Sequence, residues 1–113
     1  MTVDEIYELV AVNIINNITE DNWSKAILNI QGDNDYVDLN GKFIAKGTEQ
    51  NINVHNFDDE VEFALMELHE ITTEDGNNKW NRAVFTVTSE GKFDMEFIWD
   101  EELNDEIERL AKS

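Results

Sequence analysis

The sequence predicts one α+β domain over residues 1–113, in which an antiparallel sheet of about five strands is packed by two main helices and a short C-terminal helix. The first observation is strand-like alternation on both sides of a glycine turn, over residues 82–88 and 93–100. The second is helical periodicity near the N-terminus and over residues 61–71. The predicted order is helix, three or four strands, helix, two strands, helix.

The clearest predicted element is a β-hairpin in the last third of the chain. Its second strand alternates an apolar face with a mostly acidic one: Phe93, Met95, Phe97 and Trp99 against Asp94, Glu96, Ile98 and Asp100. A three-residue loop, Ser89–Gly91, places a glycine where a bulged turn needs positive φ. This loop pairs Thr88 with Lys92, Val87 with Phe93, Phe85 with Met95 and Ala83 with Phe97. A two-residue loop would instead pair Thr86 with Met95 and Val84 with Phe97. The first register is preferred because it puts both apolar sets on one face.

The chain begins with a predicted amphipathic helix. Thr2 and Glu5 have the spacing of a capping box, and apolar residues then recur at helical spacing: Val3, Ile6, Val10, Ile14 and Ile18. We expect this helix to end near Asn16-Asn17. A strand follows over Trp23–Ile30, with Ala26, Leu28 and Ile30 on one face, and Gly32–Asp35 is expected to break it.

A second hairpin is predicted around Asn40-Gly41, because Asn-Gly is the strongest short signal for a two-residue turn. Its strands would be Tyr36–Leu39 and Lys42–Lys46. Gly47–Gln50 is interpreted as a loop. Ile52–Val54 is interpreted as a short edge strand.

Two further helices complete the prediction. The acidic run Asp58–Glu60 favours a helix start. The buried stripe of that helix is predicted to be Val61, Ala64, Leu65, Leu68 and Ile71, with Glu60, Glu67 and Glu70 facing outward. Gly76-Asn77-Asn78 should end it. A short final helix after Asp100 carries Leu103, Ile107 and Leu110. The first two helices are expected to cover the apolar face of the C-terminal hairpin.

Composition narrows the possible functions. The chain has 26 acidic and 8 basic side chains, a formal net charge of −18, which disfavours direct binding to nucleic acid. The absence of cysteine excludes disulfides, zinc–thiolate sites and thiol nucleophiles. No apolar run approaches the about 20 residues of a membrane helix, and the acidic N-terminus is unlike a signal peptide. We therefore expect a cytoplasmic protein with no membrane partner.

Motifs for metals, cofactors and catalysis are incomplete. His69-Glu70 begins like a zinc-protease helix, but Thr73 stands where the second histidine is needed, so His69 is interpreted as a surface or boundary residue. Asp33-Asn34-Asp35 resembles the start of a calcium loop, but Val37 and Asp38 do not fit it, and turn chemistry explains these residues better. The prediction is therefore no catalytic residue, no cofactor and no metal.

Acidic side chains are concentrated in two groups. One group spans the last strand and the final helix: Asp94, Glu96, Asp100, Glu101, Glu102, Asp105, Glu106 and Glu108. The other lies on and before the second helix: Asp58, Asp59, Glu60, Glu62, Glu67 and Glu70. Any one of these residues is most simply a solvated side chain. Together they could present a negative field that speeds association with a basic protein.

With these features the chain resembles the YezG-like immunity or antitoxin proteins of bacteria, which inhibit polymorphic and contact-dependent toxins. The resemblance is carried by Asn22-Trp23, Trp80, the alternating strand Ala83–Val87, Gly91-Lys92-Phe93-Asp94, and Phe97 followed by Asp100. It covers most of the chain in order. These residues specify a fold more than they specify a partner.

The resemblance implies stoichiometric inhibition of a toxin in the cytoplasm. The partner would be the cognate toxin C-terminal domain, a basic nuclease in many such systems. We hypothesise that six acidic residues contact its Lys and Arg side chains: Glu62, Glu67, Glu70, Asp94, Glu96 and Asp100. Tyr36 and Trp23 are candidate aromatic anchors if exposed, although a core role is the simpler expectation.

Three alternatives stay open at the level of the sequence. The protein could be a DNA mimic whose carboxylates imitate phosphates and block DNA-binding proteins. It could be a plain interaction module in a larger assembly. It could also be a small enzyme, for which the sequence offers no positive sign. Promiscuous binding to basic proteins would favour the mimic, and substrate turnover would favour the enzyme.

Overall fold

The computed structural model describes residues 1–76 and 78–112, and it confirms the α+β fold class. One five-stranded antiparallel sheet has the strand order β3-β2-β1-β4-β5, so β3 and β5 are its edges. The elements are α1 (Val3–Asn16), β1 (Trp23–Gly32), β2 (Val37–Ala45), β3 (Thr48–Ile52), a 3₁₀ turn (Val54–Asn56), α2 (Asp59–Thr73), β4 (Arg82–Thr88), β5 (Phe93–Ile98) and α3 (Glu101–Ala111). No described helix is both long and apolar enough to cross a membrane.

The sheet has one covered face and one open face. Side chains from α1 and α2 form a single core with the inner face of the three central strands, where Leu28, Phe43 and Phe85 are almost completely buried. Because side chains alternate along a strand, Lys25, Lys42 and their neighbours point to the other face. On that outer face, no side chain of the described strands is buried. The domain is therefore a two-layer structure with one sheet face open.

The predicted first helix is confirmed together with its cap. The Thr2 hydroxyl accepts a hydrogen bond from the Glu5 amide at 3.2 Å, and the Glu5 carboxylate accepts one from the Thr2 amide at 2.9 Å. This reciprocal pair satisfies two N–H groups that the first helical turn leaves without partners. The helix ends at Asn16, as predicted.

The predicted Asn40-Gly41 hairpin is wrong. β2 runs straight through these residues, with Asn40 opposite Asn29 and Gly41 opposite Leu28. The turn lies earlier, where Asp33 Oδ1 accepts hydrogen bonds from the Asp35 amide (2.7 Å) and the Tyr36 amide (3.2 Å). Gly41 serves close packing instead, since a Cβ there would lie 3.2 Å from the Cβ of Ile52. A local turn signal was thus overridden by packing between strands.

The predicted break near Gly32 is confirmed, whereas the predicted loop from Gly47 is wrong. β1 runs past the predicted Ile30 and ends at Gly32, opposite Val37, and the predicted break follows as the turn at Asp33. The expected loop Gly47–Gln50 is mostly strand β3, because Lys46 and Gly47 have φ values of 54° and 75° and form a two-residue turn. The short edge strand expected at Ile52–Val54 is therefore shifted to Thr48–Ile52.

The second helix is confirmed, with one correction to its buried stripe. Val61, Ala64, Leu65 and Leu68 are buried, but Ile71 is 38% exposed. Ile71 faces a groove beside β5 that no described element fills. The chain leaves the helix through Gly76, which has a φ of 77°. Asn77, part of the predicted helix end, lies outside the described residues.

The C-terminal hairpin has the predicted register, with Val87 opposite Phe93, Phe85 opposite Met95 and Ala83 opposite Phe97. Gly91 has the expected positive φ, 89°. The expected cover is incomplete, however. The helices bury the inner face of β4, whereas the inner face of β5 is half-buried at Met95 and exposed at Phe93 and Phe97. The final helix is present, but none of its apolar residues Leu103, Ile107 and Leu110 is buried.

Candidate protein-binding surface

The acidic residues predicted on α2 point in different directions. Glu62 lines a groove with Val54 and Phe57. The Glu67 carboxylate accepts a hydrogen bond from the amino group of Met1 at 2.9 Å. Glu70 is exposed, about half a helical turn away from the buried stripe. All three lie on the helical side of the sheet.

Asp94 and Glu96 lie on the opposite side. They stand opposite Thr86 and Val84 on the outer face of the β4–β5 pair. Both are exposed, and neither forms an ion pair with a described residue. The six residues of the hypothesis therefore do not form one surface, because the sheet separates the α2 group from the β5 group.

Asp100 has a structural role. One carboxylate oxygen caps α3 by accepting from the Leu103 amide at 3.1 Å, and the other accepts from Arg82 Nε at 2.8 Å. The Arg82 side chain, followed by the cap, holds the pKa of the Asp100 carboxyl below its usual value. The Asn81 side chain also bonds the backbone of Asp100 on both sides, at 2.8 Å each. The charge of Asp100 is therefore already paired within the domain.

An apolar row on β5 resembles a protein-binding site more closely than the six acidic residues do. We call it the β5 strip, defined as Phe93, Met95 and Phe97. These side chains lie on one face of an edge strand, about 7 Å apart along it. Phe93 is 43% exposed and Phe97 is 38% exposed, and Met95 between them is half-buried.

Each exposed ring of the strip rests on the core with one side. The Phe93 ring stacks on Phe85 with centroids 5.7 Å apart and meets Tyr7 edge-on at 6.1 Å. The Phe97 ring lies 5.0 Å from Trp80. The rings are therefore held in place while their other sides face solvent. Such a fixed apolar surface loses little side-chain entropy when a partner covers it.

The backbone of the β5 strip is also free. The Thr88 amide donates to the Lys92 carbonyl at 2.8 Å. From there along the β4–β5 ladder, residue pairs that exchange backbone hydrogen bonds alternate with pairs that do not. This alternation directs the N–H and C=O groups of Asp94, Glu96 and Ile98 toward β4. Those of Phe93, Met95 and Phe97 point away from the sheet, and no described residue bonds to them.

A groove extends the strip toward the end of α2. Its volume is about 530 Å³, and it is lined by Ile71, Thr72, Asp75, Asn78, Lys79 and Phe97. A smaller cavity of about 260 Å³ adjoins it at Lys79 and includes Trp99 and Ile107. The Lys79 ammonium lies 4.3 Å from the Trp99 ring centre, a cation–π contact between the two.

Trp80 and His69 anchor this region. Trp80 Nε1 donates to the Thr72 hydroxyl at 2.7 Å, and its ring lies 4.6 Å from that of His69. The two ring nitrogens of His69 lie 2.8 Å from the Trp80 carbonyl and 2.6 Å from Asn34 Oδ1. His69 is half-buried and connects α2 to two loops, which agrees with the boundary role predicted for it.

The remaining candidate residues have structural surroundings. Trp23 is half-buried against the core, and Tyr36 is half-buried beside Trp99, so neither is a fully exposed anchor. Asp33 organises a turn, which confirms the turn interpretation of the calcium-like segment. Over residues 1–76 and 78–112, no three His, Cys, Asp or Glu side chains are grouped as a metal site would require.

Comparison with known proteins adds no further assignment. No protein-family model matches the sequence, and no curated protein is significantly similar to it.

The β5 strip is not singled out as a candidate site from the sequence, because its alternation is interpreted there as core. The sequence does show three apolar residues alternating with acids, a pattern that fits a half-covered strand equally well. What it lacks is any sign that β5 would lie at an edge beyond the reach of both helices. That position depends on the strand order.

Proposed function

We propose that this protein is a cytoplasmic immunity protein that binds a bacterial toxin domain and neutralises it stoichiometrically, by binding and not by catalysis. The observation that carries the proposal is the surface of β5. Two fixed, exposed aromatic rings, Phe93 and Phe97, lie on the inner face of this edge strand, and two carboxylates without an ionic partner among the described residues, Asp94 and Glu96, lie on its outer face. Apolar anchors bordered by charge are typical of protein-binding hot spots.

The charge of the chain supports a basic partner. With a formal charge of −18, the protein attracts cationic surfaces at long range and repels acidic ones. A nuclease toxin that binds nucleic acid through a basic cleft has the complementary charge. Attraction of this kind raises the association rate and orients the encounter, while the apolar contacts hold the complex together.

The geometry narrows the predicted contact set. Asp94 and Glu96 are retained, because they alternate with the apolar row along the same edge strand, so a partner that covers both faces of this edge reaches them. Glu62, Glu67 and Glu70 lie on the helical side with the apolar row, but the groove beside Phe97 is lined by Ile71 and Thr72 of α2 and not by these three acids, so they are left out of the contact set. Asp100 is committed to Arg82 and the α3 cap. The proposed contact set is therefore Phe93, Asp94, Glu96 and Phe97.

Co-expression tests this proposal. The toxin to be tested would be the variable C-terminal domain of a secreted protein, if one is encoded beside this gene, expressed in a cell that it kills. We expect the wild-type protein to restore growth and to co-purify with the domain in a 1:1 complex. The double variant Phe93→Ser/Phe97→Ser should lose protection, because it removes both anchors.

A matched control uses two exposed apolar residues on the helices. Val12 is 52% exposed and Phe63 is 68% exposed, and neither lies on β5. Val12→Ser/Phe63→Ser should therefore keep full protection. Failure of the wild-type protein to protect would contradict the proposal. Turnover of a substrate by the isolated protein would favour an enzyme, and equal binding to several unrelated DNA-binding proteins would favour a DNA mimic.

A further inference from the structure

We infer that β5 accepts an added β-strand, namely an extended segment of the partner protein in which apolar and basic side chains alternate. This inference rests on the proposed function and specifies how the partner is held. The segment would pair with the free edge of β5 and extend the sheet to six strands. Recognition by strand addition takes affinity from main-chain hydrogen bonds and specificity from alternate side chains.

The backbone of β5 is suited to such pairing. The N–H and C=O groups of Phe93, Met95 and Phe97 point away from β4, and no described residue bonds to them. α3 does not cover this edge, because it lies by the β1–β2 turn, where Asn104 and Ile107 share a cavity with Asp33 and Tyr36. A row of unpaired groups at a strand edge is a template for another strand.

The side chains of β5 define the chemistry of the added strand. Its inward side chains would lie next to the β5 strip and cover the open sides of the Phe93 and Phe97 rings, so they should be apolar. Its outward side chains would lie beside Asp94 and Glu96, which are exposed and unpaired among the described residues. Opposite charges on neighbouring strands attract, so these positions should be Lys or Arg.

A second copy of this chain is a poor occupant of the same edge. Pairing two β5 strands would bring Asp94 and Glu96 of one copy beside the same residues of the other, on one face of the joined sheet. Like charges on neighbouring strands repel, and each copy carries a formal charge of −18. Charge complementarity therefore favours a basic strand over self-association.

Proline substitution tests the backbone contact directly. Met95→Pro removes an N–H that points away from the sheet, a position where an edge strand tolerates proline. Met95→Ala removes the same side chain but keeps the N–H. Asn51→Pro is the matched control. Ala45 and Thr48 flank the two-residue turn and form a hydrogen-bonding pair, and such pairs alternate along β3. The Asn51 N–H therefore also points away from the sheet, at the edge opposite β5.

The probe is the toxin domain that protects or co-purifies in the co-expression test, and the measurement is its dissociation constant by calorimetry. We expect Met95→Pro to weaken binding by about tenfold or more relative to Met95→Ala, since a hydrogen bond is lost and the added strand is displaced. Asn51→Pro should bind within about twofold of the wild type, as expected for a site away from the interface. If Met95→Pro does not fold, Phe97→Pro against Phe97→Ala serves as the same comparison.

The outcomes separate the inference from the proposed function. A complex that binds Met95→Pro and Met95→Ala equally would overturn strand addition and leave the immunity function standing. No complex with the wild-type protein would overturn both. If the isolated protein sediments as a dimer and Met95→Pro abolishes that dimer, the edge of β5 binds a second copy of this chain. That result would overturn the inference that a strand of the partner protein is added there.

Discussion

β3 and β5 are the two edges of one sheet, and they present opposite chemistry to solvent. Side chains on β3 are polar at its four exposed or half-buried positions, Thr48 to Asn51, and its one apolar residue, Ile52, is buried against Gly41. β5 instead exposes aromatic rings at the positions whose backbone is free. Proteins normally protect edges with polar and charged residues. β3 follows that rule, and β5 departs from it only on the face that bears the strip, so the difference is consistent with a binding role for β5.

Among the substitutions considered, Trp80→Ala should have the largest effect on the free energy of unfolding, because it weakens packing specifically on the β5 side of the sheet. Trp80 is 2% exposed and connects Phe97 to α2. Removing a buried tryptophan should lower the free energy of unfolding by about 3–5 kcal/mol, measured by urea denaturation. Trp23→Ala is the control, and it should cost less because Trp23 is only half-buried. Equal losses would show that Trp80 has no special role at this edge.

Truncation of corresponding edge residues should give a smaller contrast. Phe97 and Gln50 both point to the inner face, on β5 and β3 respectively. Phe97→Ala should lower the free energy of unfolding by roughly 1–2 kcal/mol, since only part of the ring is buried. Gln50→Ala should change it by less than about 0.5 kcal/mol. A neutral Phe97→Ala would mean that the ring is kept for binding alone.

Charge reversal at one acidic residue on each edge compares how much the two edges contribute to electrostatic attraction of a partner. Glu96 and Glu49 are both exposed on the outer face of their strands. Glu96→Lys should slow association with the proposed toxin partner by about two- to fivefold at low salt, measured by stopped flow. The effect should shrink as salt is added. Glu49→Lys should change the rate less, and an equal change would indicate a diffuse field without a preferred edge.

The smallest expected effect concerns pH. Because Arg82 lowers the pKa of Asp100, the folded-state pKa lies below the unfolded value. The ionised carboxylate therefore stabilises the fold above its unfolded pKa, and this contribution is lost as the pH falls through the folded value. The difference in free energy of unfolding between the wild type and Asp100→Asn should be present at neutral pH and shrink toward zero in acid.

A double-mutant cycle identifies the partner in that effect. Arg82→Gln should also destabilise the protein at neutral pH. The double variant should lose less free energy of unfolding than the sum of the losses in the two single variants. Strict additivity would show that the 2.8 Å contact between Arg82 and Asp100 contributes nothing in solution.

The sequence predicted what local periodicity controls. The capped first helix, the buried positions of α2 up to Leu68 and the register of the C-terminal hairpin all depend on short-range patterns, and all are present. The Asn40-Gly41 turn failed because Gly41 meets Ile52, a contact that depends on how β3 folds back. Ile71 and Phe97 were assigned to the core because their spacing is correct for it.

The candidate site could be predicted only in part. Asp94 and Glu96 were chosen from their exposure on an alternating strand, and they are exposed. Whether they share a surface with Glu62 or Glu70 depends on which side of the sheet α2 covers, and no local pattern carries that information. The free edge of β5 depends on the strand order, in which β4 pairs with β1 across the chain.

Hydrogen exchange of the two sheet edges, measured in the free protein and in the proposed complex with the toxin domain, tests the central claim most directly. In the free protein, the amides of Phe93, Met95 and Phe97 on β5, and those of Glu49 and Asn51 on β3, should all exchange rapidly because nothing in the described structure bonds to them. On binding, the three β5 amides should become protected while Glu49 and Asn51 stay fast. Protection of the β3 amides, or of neither edge in a complex that forms, would contradict the account.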